Sequence, residues 1–139
     1  MKNITIIVVA LFCFFLIGAF VESDQDNVTE FEVIAVHDIK IKADVNEKEF
    51  EAFVMNELAP IYNNMDGQNL TLVKGDRGIN SNNYAIILTF ESIEDRDRIY
   101  PPSGELVGDF GDDSIWEKFN SMLEEGLGKH HTDYVKVVH

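Results

Sequence analysis

Tyr84-Ala85-Ile86-Ile87-Leu88-Thr89-Phe90 is the stretch on which the fold turns. It carries no charge and is apolar at nearly every position, which predicts a central strand. Working outward, Lys74-Gly75-Asp76-Arg77-Gly78 and Asn80-Ser81-Asn82-Asn83 form a polar hairpin loop, rich in the residues that turns favour. Asn69 to Val73 before it is the hairpin's first strand. Further upstream, Asn46 and Glu49 have the spacing of a capping box. Phe50, Phe53, Val54, Leu58 and Ile61 then fall on one helical face. Phe31 to Ile41 is a strand whose inward parity holds Val33, Ala35, His37 and Ile39. Ile34 and Val36 make its other face apolar too, which predicts cover on both sides.

Downstream of the central strand, Ser92 to Ile99 is a short helix, stopped by Pro101-Pro102. Ser103 to Gly111 is a loop. A second amphipathic helix starts near Asp113 with Ile115, Trp116, Phe119, Met122 and Leu123 on its apolar face, and Gly126 and Gly128 are expected to end it. Thr132 to Val138 is the last strand. The order is β-α-β-β-α-β. It predicts an α+β, ferredoxin-like fold with an antiparallel sheet and helices on one face.

The chain has 139 residues, with 11 Lys and Arg against 25 Asp and Glu, a formal net charge of -14. That length predicts one folded domain. The acidity excludes a nucleic-acid partner, which needs a basic patch. Lys2 followed by the apolar run Ile4 to Val21 has the form of a secretory signal, with cleavage after Ser23. The same run also approaches the length of a membrane-spanning helix, so an uncleaved anchor is the alternative. Residues 1–23 are read as signal peptide or anchor, 24–30 as linker and 31–139 as the domain. Either way the domain lies outside the cytoplasm, and only an uncleaved segment would touch the membrane. Cys13, the single cysteine, falls inside that segment, so the domain has neither disulfide nor thiolate chemistry.

The strand FEVIAVHDIKIK, the helix NEKEFEAFVMNELAPIY, the stretch YAIILTFESIEDRDRIYP and the terminal DYVKVV together resemble the dimeric α/β-barrel superfamily. Its members include antibiotic-biosynthesis-monooxygenase-like and stress-responsive barrel domains. The resemblance covers most of residues 31–138. It implies a homodimer whose two sheets form a shared barrel, with a pocket between each sheet and its helices. It also implies chemistry ranging from cofactor-free oxygenases to proteins without activity, and supplies no complete catalytic set to carry over.

The candidate site residues come from the chain itself. His37 lies on the apolar parity of the first strand, where an imidazole acts as a general base or a haem ligand, or hydrogen-bonds its neighbours. Trp116 walls a ligand pocket or joins the core. Tyr84 is a further ligand-binding candidate. Arg77 clamps a carboxylate or pairs with Asp76 in a turn. The adjacent His130 and His131 point apart on a strand and lack the spacing of a zinc site, so no metal is expected. Asp112 and Asp113 read as a helix cap. Phe110, between glycines, suggests a mobile lid. No cofactor motif is present. The expected function is an exported homodimer binding a small, largely apolar molecule, with cofactor-independent monooxygenase-like activity open. The alternative is a non-catalytic envelope module that contacts protein.

Overall fold

A computed structural model describes residues 30–103, 106–127 and 129–137. The signal or anchor and all of the linker but Glu30 lie outside the described residues. Among the described residues no helix is long and apolar enough to cross a membrane.

The chain begins with β1 (Val33–Ile39) and α1 (Glu47–Phe53). A π-helical turn (Val54–Leu58) leads from α1 straight into α2 (Ala59–Asn63). The hairpin of β2 (Gln68–Lys74) and β3 (Tyr84–Phe90) follows. Then come α3 (Ile93–Ile99), α4 (Asp113–Met122) and β4 (His131–Val135). The sheet order is β2-β3-β1-β4. All three pairings are antiparallel. This is the ferredoxin-like arrangement, with β3 and β1 in the interior of the sheet.

One face of the sheet carries the core. Val33, Ala35 and Ile39 of β1 alternate inward beside Tyr84, Ile86, Leu88 and Phe90 of β3. Phe50, Phe53, Val54, Leu58 and Phe119 cover them from the helices. Burying each of the large side chains contributes about 1.5–3 kcal/mol, and Phe50, Phe90 and Phe119 are among those fully enclosed. Asn46 caps α1, its side-chain oxygen accepting from the Lys48 and Glu49 amides at 3.0 and 3.3 Å.

The long helix differs from the expected straight amphipath. Pro60 has no amide hydrogen, and its ring would strike the carbonyl four residues back in a regular α-helix. The preceding turn widens instead, and the Ala59 amide donates to Val54, five residues back. The extra residue in that turn rotates the buried stripe by one position. Ala59 and Tyr62 are buried, whereas Ile61 is only half-buried. Glu57 is exposed and pairs with Lys118 of α4 at 2.8 Å.

No described helix lies on the second face of β1, and Ile34 there is 40% exposed in the single chain. Two other expectations are corrected. The helix α4 stops at Met122, before the glycines. Leu123 is already extended and bridges Ile41, while Lys42 ties down the helix end through the Ser121 and Met122 carbonyls. Phe110 is a packed wedge and not a lid, its ring 5.9 Å from both Tyr62 and Tyr100. Gly111 makes that turn possible. Its φ is 79°, and a Cβ there would sit 2.7 Å from Ile61 Cδ1.

Candidate functional site

Two cross-strand registers assemble the site. His37 pairs with Ile86 on one side and with His131 on the other. Ala35 pairs with Leu88 and with Asp133. Residues in register on antiparallel strands share a face, so two histidines and an aspartate stand on the helix side of β1 and β4. The imidazoles of His37 and His131 stack with centroids 5.3 Å apart and planes 14° from parallel.

The helix α3 supplies the opposite wall. Ser92 caps it, its hydroxyl accepting from the Asp95 amide at 3.0 Å. Glu32 also accepts from the Ile93 amide, at 3.2 Å. Arg96 and Tyr100 are four residues apart at its end and therefore project from one side. The Arg96 guanidinium bonds Asp97 at 2.8 Å and Asp133 at 3.1 Å, which clamps α3 to the edge strand. Tyr100 packs edge-on against Phe90, 5.8 Å between centroids.

Between these walls is a hollow of about 100 Å³, open on one side. Ala35, Leu88 and Phe90 form its apolar bed, and His37, His131, Asp133, Arg96 and Tyr100 its rim. Two polar atoms of the lining residues, His37 Nδ1 and Tyr100 Oη, are buried with no hydrogen-bond partner among the described residues. A buried polar group left without a partner costs about 1–3 kcal/mol. The Tyr62 phenol lies close enough to Tyr100 to act on its ionisation.

Burial pushes the His37 imidazole below its ordinary range, His131 lowers it further, and Asp133 opposes both. His37 is therefore neutral at physiological pH, able to accept a proton. Burial raises the Tyr62 phenol to about 12. Burial and the nearby Tyr62 raise Tyr100 as well. Both phenols are protonated donors.

The other sequence candidates lie elsewhere. Trp116 is half-buried in an aromatic cluster with Tyr62 and Phe119, and its Nε1 donates to the Phe110 carbonyl at 2.7 Å. Tyr84 sits at the far end of β3, donating to Glu51 at 2.6 Å and packing on Phe50. Arg77 is 93% exposed at the hairpin tip and pairs with Asp76 at 3.3 Å. The fold gathers none of these three beside His37. It gathers His131, Asp133, Arg96 and Tyr100 instead. Their signal was present in the spacing of Arg96 and Tyr100, and in the parity of β4 once that strand starts at His131. His130 and His131 do diverge: His130 bonds Glu125 at 3.0 Å while His131 faces the hollow. Asp112 caps α4, accepting from the Ser114 amide at 2.8 Å. Among the described residues no three His, Cys, Asp or Glu side chains are grouped to hold a metal ion.

No protein-family model matches the chain, and no curated protein matches it. Among solved structures the chain is similar to a Bordetella bronchiseptica protein described as "Putative antibiotic biosynthesis monooxygenase". The two are 15% identical with a TM-score of 0.46, over 78% of this chain and 100% of that one.

Proposed function

We propose that the protein is an exported homodimer that binds a small, largely apolar molecule in the hollow beneath α3. His37 is the polar group that engages the ligand. One observation carries this reading: two residues lining a single hollow, His37 and Tyr100, each hold a buried polar atom, Nδ1 and Oη, with no partner among the described residues. A ligand with one hydrogen-bonding group satisfies them while its apolar body rests on Ala35, Leu88 and Phe90. An enclosed apolar cavity of about 150 Å³ takes benzene. A hollow of about 100 Å³ that opens outward suits a molecule of that order, with part of it protruding. Monooxygenase-like activity without a cofactor extends the proposal, with neutral His37 as the proton acceptor.

The homodimer reading is supported by the uncovered sheet face, where Ile34, Val73 and Tyr134 are exposed large side chains. A second copy laid on that face would bury them. The same patch favours the second reading, in which a different protein covers it and the domain is non-catalytic.

Native mass spectrometry of the purified protein tests these readings together. A mass of two subunits carrying a retained small molecule, lost in His37→Ala, is the expected result. A ligand-free monomer that stays monomeric at micromolar concentration overturns the first reading. Unchanged ligand retention and turnover in His37→Ala removes His37 from the proposal.

A further inference from the structure

A second and larger cavity lies at the opposite end of β1, away from the His37 hollow. It is a groove of about 250 Å³ where β1 runs out, walled by the β2–β3 hairpin and by the segment leading into β4. Its polar lining comes from Asp38 and Lys40, from Asn80 and Asn83, and from Glu125 and His130.

These side chains divide into two groups. Glu125 is already engaged, by His130 at 3.0 Å and by Lys129 at 3.7 Å, and serves as wall. Asp38, Lys40, Asn80 and Asn83 make no side-chain hydrogen bond or ion pair among the described residues. For a basic side chain that is unusual in this chain. Lys42, Lys74, Lys118 and Lys136 are each bonded to a carbonyl or carboxylate, and Lys129 is ion-paired with Glu125. Arg77, Arg96 and Arg98 are ion-paired as well. Among the described basic side chains only Lys40 and Lys48 stand apart, and only Lys40 faces a cavity.

The charges in the groove select the ligand class. A simple anion meets Lys40 but also two carboxylates, on a protein of net charge -14. A simple cation meets Asp38 but also Lys40. A molecule carrying both charges answers both. Asp38 lies near the end of β1 and Lys40 one residue past it, so along an extended chain their positions are about 7 Å apart. A short zwitterion spans that gap with one charge-assisted hydrogen bond at each end. The two carboxamides offer further donors and acceptors.

We propose that this groove binds a small zwitterion of the α-amino-acid type. Its carboxylate sits on Lys40, supported by Asn80 and Asn83, and its ammonium sits on Asp38. The site is independent of the hollow beneath α3 and does not require that reading to hold.

The test is a titration of the purified full-length protein with glycine and alanine, followed by calorimetry and by backbone amide shifts. Acetate, methylammonium and N-acetylglycine amide serve as single-charge and blocked probes. The expected result is saturable binding in the millimolar range for both amino acids, with shifts centred on Lys40, Asn83 and Gly126. Lys40→Ala and Asp38→Asn each weaken it about tenfold or more, because each removes one charge-assisted contact. Lys48→Ala leaves it unchanged. All of these positions are exposed, and far-UV circular dichroism checks that the variants fold. Absence of saturable shifts with either amino acid overturns the proposal. So does acetate binding as tightly as glycine with Asp38→Asn silent, which would leave only an anion subsite.

Discussion

His37 couples stability to pH. The unfolded chain takes up this proton near the ordinary histidine value of 6.5, whereas the folded chain takes it up only at lower pH, because burial and His131 oppose the charge. Stability contributed by neutral His37 is therefore complete above about pH 6.5 and is lost as pH falls through the folded value. Urea midpoints measured between about pH 7.5 and 5 should fall for the natural protein and fall less for His37→Asn. Parallel slopes would show that His37 is not the group responsible. Tyr100 makes the opposite kind of test. Its hydroxyl has no partner, so Tyr100→Phe should leave the ligand-free protein as stable or stabilise it by about 1 kcal/mol, judged by the same midpoints. A loss of more than about 1 kcal/mol would mean the hydroxyl is bonded after all.

At the scale of elements, local pattern was enough wherever a neighbour in sequence decides the structure. The strand Tyr84–Phe90, the cap at Asn46 and the cap at Asp112 all follow from short-range chemistry. Pattern failed where distance matters. His131 becomes a neighbour of His37 only through the β1–β4 register, and Arg96 meets Asp133 only when α3 folds back over the edge strand. Leu123 left its helix for a bridge to Ile41, a contact no helical periodicity encodes. The π turn is the subtler case. The apolar spacing reads equally well as a straight helix, and only Pro60 signals that the turn before it must widen. Deleting Asn56 together with Pro60→Ala should convert that turn to a regular one and keep Tyr62 in the core. Its cost should stay within about 1 kcal/mol in chemical denaturation. Deleting Glu51 from α1 instead, and leaving Pro60 in place, should rotate Phe50 away from Phe53 and Val54 and cost about 3 kcal/mol or more. Equal costs for the two deletions would refute the extra-residue account of the turn.

For the whole molecule, the distribution of charge and apolar surface points the same way. The helical segments hold most of the acids, five against one lysine over residues 44–65 and eleven against three basic residues over 91–128. The open sheet face is built from Ile34, Val36, Ile87, Val73 and Tyr134 among threonines, with Asn69 and, at one end, Asp38 as its other polar residues. Two such faces can meet without bringing the acidic helices together. A double change of Ile34→Asp and Tyr134→Asp should therefore yield a folded monomer by sedimentation, with the ferredoxin-like circular dichroism spectrum retained, since both side chains lie outside the core. Were the natural protein itself monomeric at micromolar concentration, this face would need a different partner.

The widened turn at Val54–Leu58 also bears on ancestry. A helix that absorbs one surplus residue in a single wide turn keeps both of its ends where they were. An insertion absorbed in this way shows in the structure only as the one wide turn, and in the sequence as one extra residue. A relative lacking the surplus residue would carry one fewer between Phe53 and Leu58. An ungapped comparison would then run out of step from that point onward, setting Glu57 against a buried apolar position and Ile61 against Tyr62. A single gap placed inside this turn brings the two halves of the chain back into phase.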